Sequence, residues 1–184
     1  LDLSIVKSFC NKINVNCVIK TIPCGQIQQV SKERNRGIEE AARFLRYKIF
    51  DQVAREFNCD LICTAHTQDD NLETILQRFL QGASSASFAG ILKLRDNFFR
   101  PLLEVSKEQL LQYSLENNIP YNNDSTNQDE SYFRNNIRLN LVPLLDQKFV
   151  GWKNSVLTSS KKISEDGIFL QSLCKKLNWI LENE

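Results

Sequence analysis

Asp60-Leu-Ile-Cys-Thr-Ala-His-Thr-Gln-Asp-Asp-Asn-Leu-Glu-Thr74 changes period partway along its length. Its first half, Asp60 to His66, is a short apolar run bounded by polar residues. Such a run reads as a strand buried on both faces, as in a parallel sheet, with Cys63 in the core. The second half opens a different pattern. Leu72, Ile75, Leu76, Phe79 and Leu80 recur at i, i+3, i+4, i+7 and i+8, the spacing of an amphipathic helix. Thr67 and Asp70 between them have the form of a capping box with an acidic third residue. A strand running directly into a helix is the unit from which open α/β sheets are built, and such sheets place their ligands at the carboxyl ends of their strands.

Outward from this stretch the same logic recurs. Residues 3–13 carry Leu3, Val6 and Cys10 on one helical face. Val15 to Ile22 alternates through Val15, Cys17 and Ile19 and reads as a strand. Pro23, Gly25 and the polar run to Gly37 read as a loop. Ile38, Ala42, Leu45, Ile49 and Val53 then mark a long helix. Beyond the central helix, Gly82 to Gly90 is a Ser-rich loop, and Phe98 to Leu103 a last short strand that Pro101 confines to an edge or end. Ser106 to Gln109 repeats the capping-box form ahead of Leu110, Leu111 and Leu115. Residues 122–130 form a polar loop. Ile137, Leu141, Leu144 and Leu145 predict a helix interrupted near Pro143, and a long stripe through Val156, Ile163, Leu170 and Leu177 predicts another, weakest at Gly167. The expected fold is α/β: an incomplete parallel, Rossmann-like sheet with helices, followed by a helical extension. The expected division is 1–103 for the α/β part, 104–150 for the helical extension and 151–184 for a long linker helix that packs on a neighbouring domain.

Two clusters of polar residues carry candidate chemistry. His66, Asp70 and Glu73 stand at i, i+4 and i+7, near one helical face at a strand mouth. One imidazole and two carboxylates at that place can hold a cation, bind an ammonium group or accept a proton. The plainer alternative is that Asp70 only caps the helix, Glu73 is solvated and His66 is structural. The second cluster runs from Asn123 and Asp124 through Asn127, Asp129 and Tyr132 to Arg134, Asn135 and Arg138. Two guanidiniums four residues apart suit a phosphate or carboxylate. The alternative is that Asp124 and Asp129 cap the helix and pair with the arginines.

Composition narrows the class. The net charge is +1, which argues against a wholly cationic nucleic-acid binder. A local basic stretch does exist, with Lys32, Arg34, Arg36, Arg43, Arg46 and Lys48 against three acids. Its plainer reading is a solvated helix face whose cations are ion-paired. None of the six cysteines forms a Cys-x-x-Cys pair, so a zinc or iron–sulfur site is poorly supported, and reduced thiols in a cytoplasmic protein are the default. No apolar run approaches the ~20 residues of a membrane helix. The chain contains no Met and is read as an internal piece of a longer protein.

The ordered motifs resemble a known family. Ala65-His-Thr-Gln-Asp-Asp-Asn-Leu-Glu-Thr74 is similar to the AHxxDDxxET segment of the N-type ATP-pyrophosphatases that modify tRNA, and Arg100-Pro-Leu-Leu103 to their arginine–proline strand end. Asp124-Ser-Thr-Asn127, with Asp129, Tyr132, Arg134-Asn135, Arg138 and Pro143-Leu-Leu145, resembles the signature of the tRNA(Ile)-lysidine synthetases. Arg43-Phe-Leu-Arg46-Tyr47 resembles their RxxRY helix. The resemblance implies an adenine nucleotide alpha hydrolase-like fold and a C–N ligase. ATP adenylates the wobble cytidine of a tRNA(Ile) with a CAU anticodon, and L-lysine then displaces AMP. It implies His66, Asp70 and Glu73 as the catalytic group around lysine. Arg46, Arg134, Arg138, Asp124 and Asn127 become the substrate- and tRNA-binding group, with Mg2+ bridging the ATP phosphates. A homodimer is left open.

Two departures qualify the resemblance. The family's Ser-Gly-Gly-x-Asp-Ser phosphate loop is nowhere in the 184 residues. Its amides are what cradle pyrophosphate, so no cofactor-binding residue is assigned and these residues alone are expected not to bind ATP. Gln81-Gly82-Ala-Ser-Ser also stands where the family has Arg-Gly-Ser-Gly. Two other functions are therefore carried forward: a related ATP-dependent tRNA-thiolation enzyme, and a non-enzymatic α/β interaction module.

Overall fold

A computed structural model describes residues 2–82, 88–121 and 133–174. The elements run α1 (Asp2–Lys12), α2 (Gln26–Arg34), α3 (Ile38–Glu56), β1 (Ile62–Cys63), α4 (Gln68–Leu80), β2 (Leu94–Arg95), β3 (Phe98–Phe99), α5 (Lys107–Glu116), α6 (Phe133–Asn136), a π-helical segment (Ile137–Leu141), α7 (Val142–Lys148) and α8 (Trp152–Cys174). They group into two compact units. Among the described residues, the first comprises 2–64, 94–99 and 117–121, and the second the remainder.

The first unit holds the sheet, in the order β1-β3-β2. β1 lies parallel to β3, with Ile62 opposite Phe98, and the Ile62 amide donates to the Asn97 carbonyl at 2.8 Å. β2 and β3 form an antiparallel hairpin closed by Asp96 and Asn97. Asp96 takes a left-handed φ of 55°, which Asp tolerates better than most side chains. The α/β class holds, but the sheet is mixed, and β2 was not visible in the apolar pattern because both its residues are exposed. α3 begins after Gly37 with Glu39 and Glu40 in its first turn and Arg55 in its last, charges that complement the helix dipole. It buries Ala41, Leu45 and Ala54, while Tyr47 stacks on Phe98 with ring centroids 4.7 Å apart.

Three expectations fail in this unit. Residues 15–22 pair with no strand among the described residues. The alternating Val15 and Ile19 are exposed, and it is Val18 and Ile22, of the other parity, that line a cavity of about 550 Å³ with Ile49, Phe50 and Val53. Alternation alone does not make a strand, which needs a neighbour to take up its amides. Residues 26–34, read as loop, are the helix α2. Gly25, at φ 81°, turns the chain into it, and Ile27 and Val30 are half-buried beside α3. Cys63, placed in the core, is exposed, because this two-residue strand is not covered on both faces.

In the second unit α4 buries Leu72 and Ile75, packing on α8 along one side and on α6 and the π-helical segment along another. Each such side chain contributes roughly 2 kcal/mol by leaving water. α8 runs through Gly167 as predicted. Its first residue, Trp152, is buried, and the indole Nε1 donates to Asp146 at 2.8 Å. The predicted interruption near Pro143 is the π-helical segment, where the Val142 amide reaches back to the Ile137 carbonyl, one residue further than in an α-helix. Pro143 has no amide to donate and its ring crowds the preceding turn, so a widened turn just before it relieves both problems. The predicted loop tip at 83–87, the polar loop at 122–132 and the end of the apolar stripe at Leu177 lie outside the described residues. No helix among the described residues is long and apolar enough to cross a membrane.

Candidate functional site

The site is built on the first two turns of α4. Thr67 is the N-cap, with extended backbone. Its Oγ1 accepts from the Asp70 amide at 3.3 Å, and the Asp70 Oδ2 accepts in return from the Thr67 amide at 2.8 Å and hydroxyl at 2.9 Å. The capping alternative for Asp70 is therefore real, yet it uses only one carboxylate oxygen. Oδ1 points elsewhere and accepts from Arg134 Nη2 at 2.8 Å. One turn on, Glu73 is 3% exposed. Such burial is tolerable for a carboxylate only with full compensation. Arg134 Nε donates to its Oε2 at 2.9 Å, and Arg138 grips both oxygens, Nε to Oε1 at 2.6 Å and Nη2 to Oε2 at 2.7 Å. Arg138 Nη2 also lies 3.9 Å from Asp70 Oδ1.

Two carboxylates and two guanidiniums thus make one interlocked, formally neutral group across 61 to 65 residues of sequence. Arg134 and Arg138 sit on the same side of α6 and the segment after it, as the i, i+4 spacing predicts. Burial works to raise the Asp70 pKa. The Thr67 amide and hydroxyl, and after them Arg134 and Lys107, outweigh it and hold the carboxyl below its usual range. The hydrogen bonds to Glu73 push Arg138 further up, burial opposing them and the Asp70 and Asp69 charges assisting.

Other predicted residues are placed differently. His66 is half-buried one residue before the N-cap. Arg46 belongs to the first unit, exposed at the rim of the apolar cavity of Val18 and Phe50. Asp124 and Asn127 lie outside the described residues. Arg100, from the arginine–proline motif, is 5% exposed and donates to the Leu92 carbonyl at 2.8 Å, so it braces the chain leaving β3.

Several supporting residues were not singled out by the sequence. Asp69 Oδ2 accepts from the Lys107 amide at 2.7 Å, and the Gln68 amide donates to the Val105 carbonyl at 2.9 Å, so the starts of α4 and α5 clasp each other. On the reverse of α4, Asn71 Oδ1 accepts from the Ile91 amide at 2.7 Å and Arg78 donates to the Gly90 carbonyl at 2.7 Å. Gly90 is required there. Its φ is 66°, and a Cβ would fall 2.3 Å from Asn71 Oδ1. Nothing local signals these pairings, because each spans a loop.

Helix N-termini are the natural seats for phosphate. At α4 the amides of Gln68, Asp70 and Asn71 already serve Val105 and Thr67, and at α5 those of Lys107 and Gln109 serve Asp69 and Ser106. Nor does any group of three or more His, Cys, Asp or Glu among the described residues have the geometry to hold a metal ion.

Residues 1–145 match the family model described as a PP-loop domain, and the chain belongs to that family. Its sequence is similar to those of tRNA(Ile)-lysidine synthases. It is 39% identical over 185 residues to the tRNA(Ile)-lysidine synthase of Treponema denticola, an alignment covering all of this chain and 40% of that protein. It is 35% identical over 171 residues to that of Treponema pallidum (strain Nichols), covering 92% of the chain and 36% of the relative. The chain therefore spans about 40% or less of the length of these relatives. Among solved structures, the U34-tRNA thiolase NcsA from Methanococcus maripaludis superposes with a TM-score of 0.61 at 16% identity, covering 89% of this chain and 56% of that one, a likeness of fold.

Proposed function

We propose that the full-length protein is a tRNA(Ile)-lysidine synthetase. In that reaction the 2-carbonyl oxygen of the wobble cytidine, in a tRNA(Ile) with a CAU anticodon, attacks ATP and releases pyrophosphate. The ε-amine of L-lysine then bonds to C2, AMP leaves, and the amine loses protons. The observation that carries this reading is the junction of Asp70 and Glu73, from one motif, with Arg134 and Arg138, from the other, at hydrogen-bond distance.

The cluster suggests how the residues divide the work. Asp70 is the more accessible acid, with 20% of its side chain exposed against 4% for Glu73. Its Oδ1 is the atom for the lysine ammonium to approach, in place of Arg134. Displaced from Asp70, Arg134 keeps Glu73 and presents Nη2 to an anion such as the adenylate phosphate. Glu73 and Arg138 hold the frame, and the role assigned to His66 is that of proton acceptor. Arg46, Asp124 and Asn127 complete the substrate- and tRNA-binding group, and Mg2+ accompanies the ATP phosphates. The family's phosphate-loop motif is not among these 184 residues, and no step through it is derived from them. In domain terms, 1–103 is part of the ATP-pyrophosphatase domain, 104–150 the helical extension and 151–184 a linker helix, in a cytoplasmic enzyme.

The test is incorporation of labelled lysine into a CAU-anticodon tRNA(Ile) transcript by the full-length protein with ATP. Asp70→Asn and Arg138→Ala are expected to lower turnover at least a hundredfold with the fold intact. Wild-type turnover in either variant sinks the role assignments. Sulfur incorporation in place of lysine assigns the protein to the thiolation reaction instead.

A further inference from the structure

The basic stretch of α2 and α3 was expected to be a solvated face whose cations are ion-paired. It is solvated, but most of its cations have no ion pair among the described residues. Among the described residues, Arg36 alone of its six cations has a carboxylate partner, Glu40 at 3.7 Å. Lys32, Arg34, Arg43, Arg46 and Lys48 form no ion pair among the described residues and are exposed. Charges left uncompensated on a protein of net charge +1 need a reason.

Their arrangement supplies one. Arg43, Phe44, Tyr47 and Lys48 stand at i, i+1, i+4 and i+5 of α3, two adjacent rows on one face of the helix. The Arg43 guanidinium lies over the Tyr47 ring, 4.8 Å from its centroid, and donates from Nη2 to the Tyr47 hydroxyl at 3.0 Å. From α2, Arg34 lies over the Phe44 ring at 4.0 Å. Each guanidinium is held by an aromatic ring with its outer face and several N–H donors toward solvent. Tyr47 is anchored in turn on the buried Phe98. Glu40 and Asp51 bracket the stripe one turn before and after, and neither is within ion-pair distance of Arg34, Arg43 or Lys48. A row of cations pre-positioned over flat rings, without carboxylates of their own, matches an anionic backbone carrying bases that stack. The open cavity of about 300 Å³ that Arg34, Phe44 and Lys48 line between α2 and α3 also holds Glu33, whose carboxylate disfavours a compact anion seated there.

We propose that the Arg34–Arg43–Phe44–Tyr47–Lys48 face of the α2–α3 hairpin binds the sugar–phosphate backbone of an RNA loop. This rests on the reading above that the substrate is an RNA. It also separates two tasks among the arginines, since RNA attachment falls to this strip and Arg134 and Arg138 serve the acid cluster.

The experiment measures binding of the full-length protein to a labelled anticodon stem-loop with a CAU loop, across a potassium chloride series. Each phosphate contact contributes about 0.7–0.9 to the slope of log affinity against log salt, so Arg34→Gln/Arg43→Gln/Lys48→Gln should reduce the slope by roughly 2. The ion-paired triple Lys93→Gln/Arg95→Gln/Lys153→Gln, which removes the same charge elsewhere, should leave the slope in place, and Arg34→Lys/Arg43→Lys should retain it. Thermal melts identify any variant that unfolds. If Arg43→Gln disturbs Tyr47, Arg34→Gln/Lys48→Gln carries the test alone, with a slope loss of about 1.5. Equal slope losses in both triples, or none in the first, overturn the proposal. So does displacement of the RNA by phosphatidylserine vesicles as effectively, per phosphate, as by unlabelled RNA. Lysine incorporation is scored separately: a lost slope without any lysidine keeps this surface and removes the lysidine reading.

Discussion

α3 and the α6–π stretch each carry arginines at short spacing, and each was a candidate for binding anions. Their surroundings differ. Arg134 and Arg138 are part-buried and bonded to Asp70 and Glu73, so their charge is already used within the fold. Arg34 and Arg43 are exposed, lie over rings and form no ion pair among the described residues. An arginine bonded to carboxylates can serve a ligand only by exchanging partners, and that exchange makes binding selective. An arginine on an aromatic ring serves at once and indiscriminately. Sequence spacing alone cannot separate the two, because the acids that decide the matter stand 61 to 65 residues away.

The contrast can be broken most directly at Glu73. Glu73→Gln leaves two part-buried guanidiniums short of their acceptor and should cost about 3 kcal/mol in urea unfolding. A cost below about 1 kcal/mol would mean that the arginines re-pair easily and the cluster is not interlocked. Asp70→Asn is expected to cost about 1.5 kcal/mol at neutral pH, through the helix cap and the Arg134 bond. Folding lowers the Asp70 pKa, so its charged form is the stabilising one. That contribution is complete above the ordinary carboxylate range near ~4 and vanishes as pH falls through the lowered value. Wild type and variant should therefore converge in acid, and a gap that persists there would assign the effect to packing. Thr67→Ala, which removes the cap and leaves the ion pairs, should cost about 1 kcal/mol. Arg34→Gln and Arg43→Gln should fall within about 0.5 kcal/mol of wild type, because surface changes away from buried partners seldom do more. A larger loss at either would place that arginine in the structural class with Arg138.

Legibility followed the range of the interactions. α4, its capping box at Thr67 and Asp70, the second box at Ser106 and Gln109, and the break before Pro143 are all determined within about five residues, and all were readable. The choice of α2 over a loop turned on apolar contact with α3 that the polar run 26–34 barely advertises. The exposure of Cys63 and the unpaired state of residues 15–22 depend on which strands lie alongside, information no single segment contains. At the site, the residue types and their helical face were visible, but Asp70 and Glu73 as partners of Arg134 and Arg138 were not, because they stand 61 to 65 residues away.

The clasp between the starts of α4 and α5 makes the Asp69-Asp70 doublet a joint. Asp69 is fastened to the backbone of α5, and Asp70, its neighbour in the chain, is fastened to the arginine cluster. A tug on α5 at Lys107 travels through one peptide unit to the carboxylate facing Arg134. The seat of α5 and the aim of Asp70 are thus fixed by adjacent residues of one helical turn.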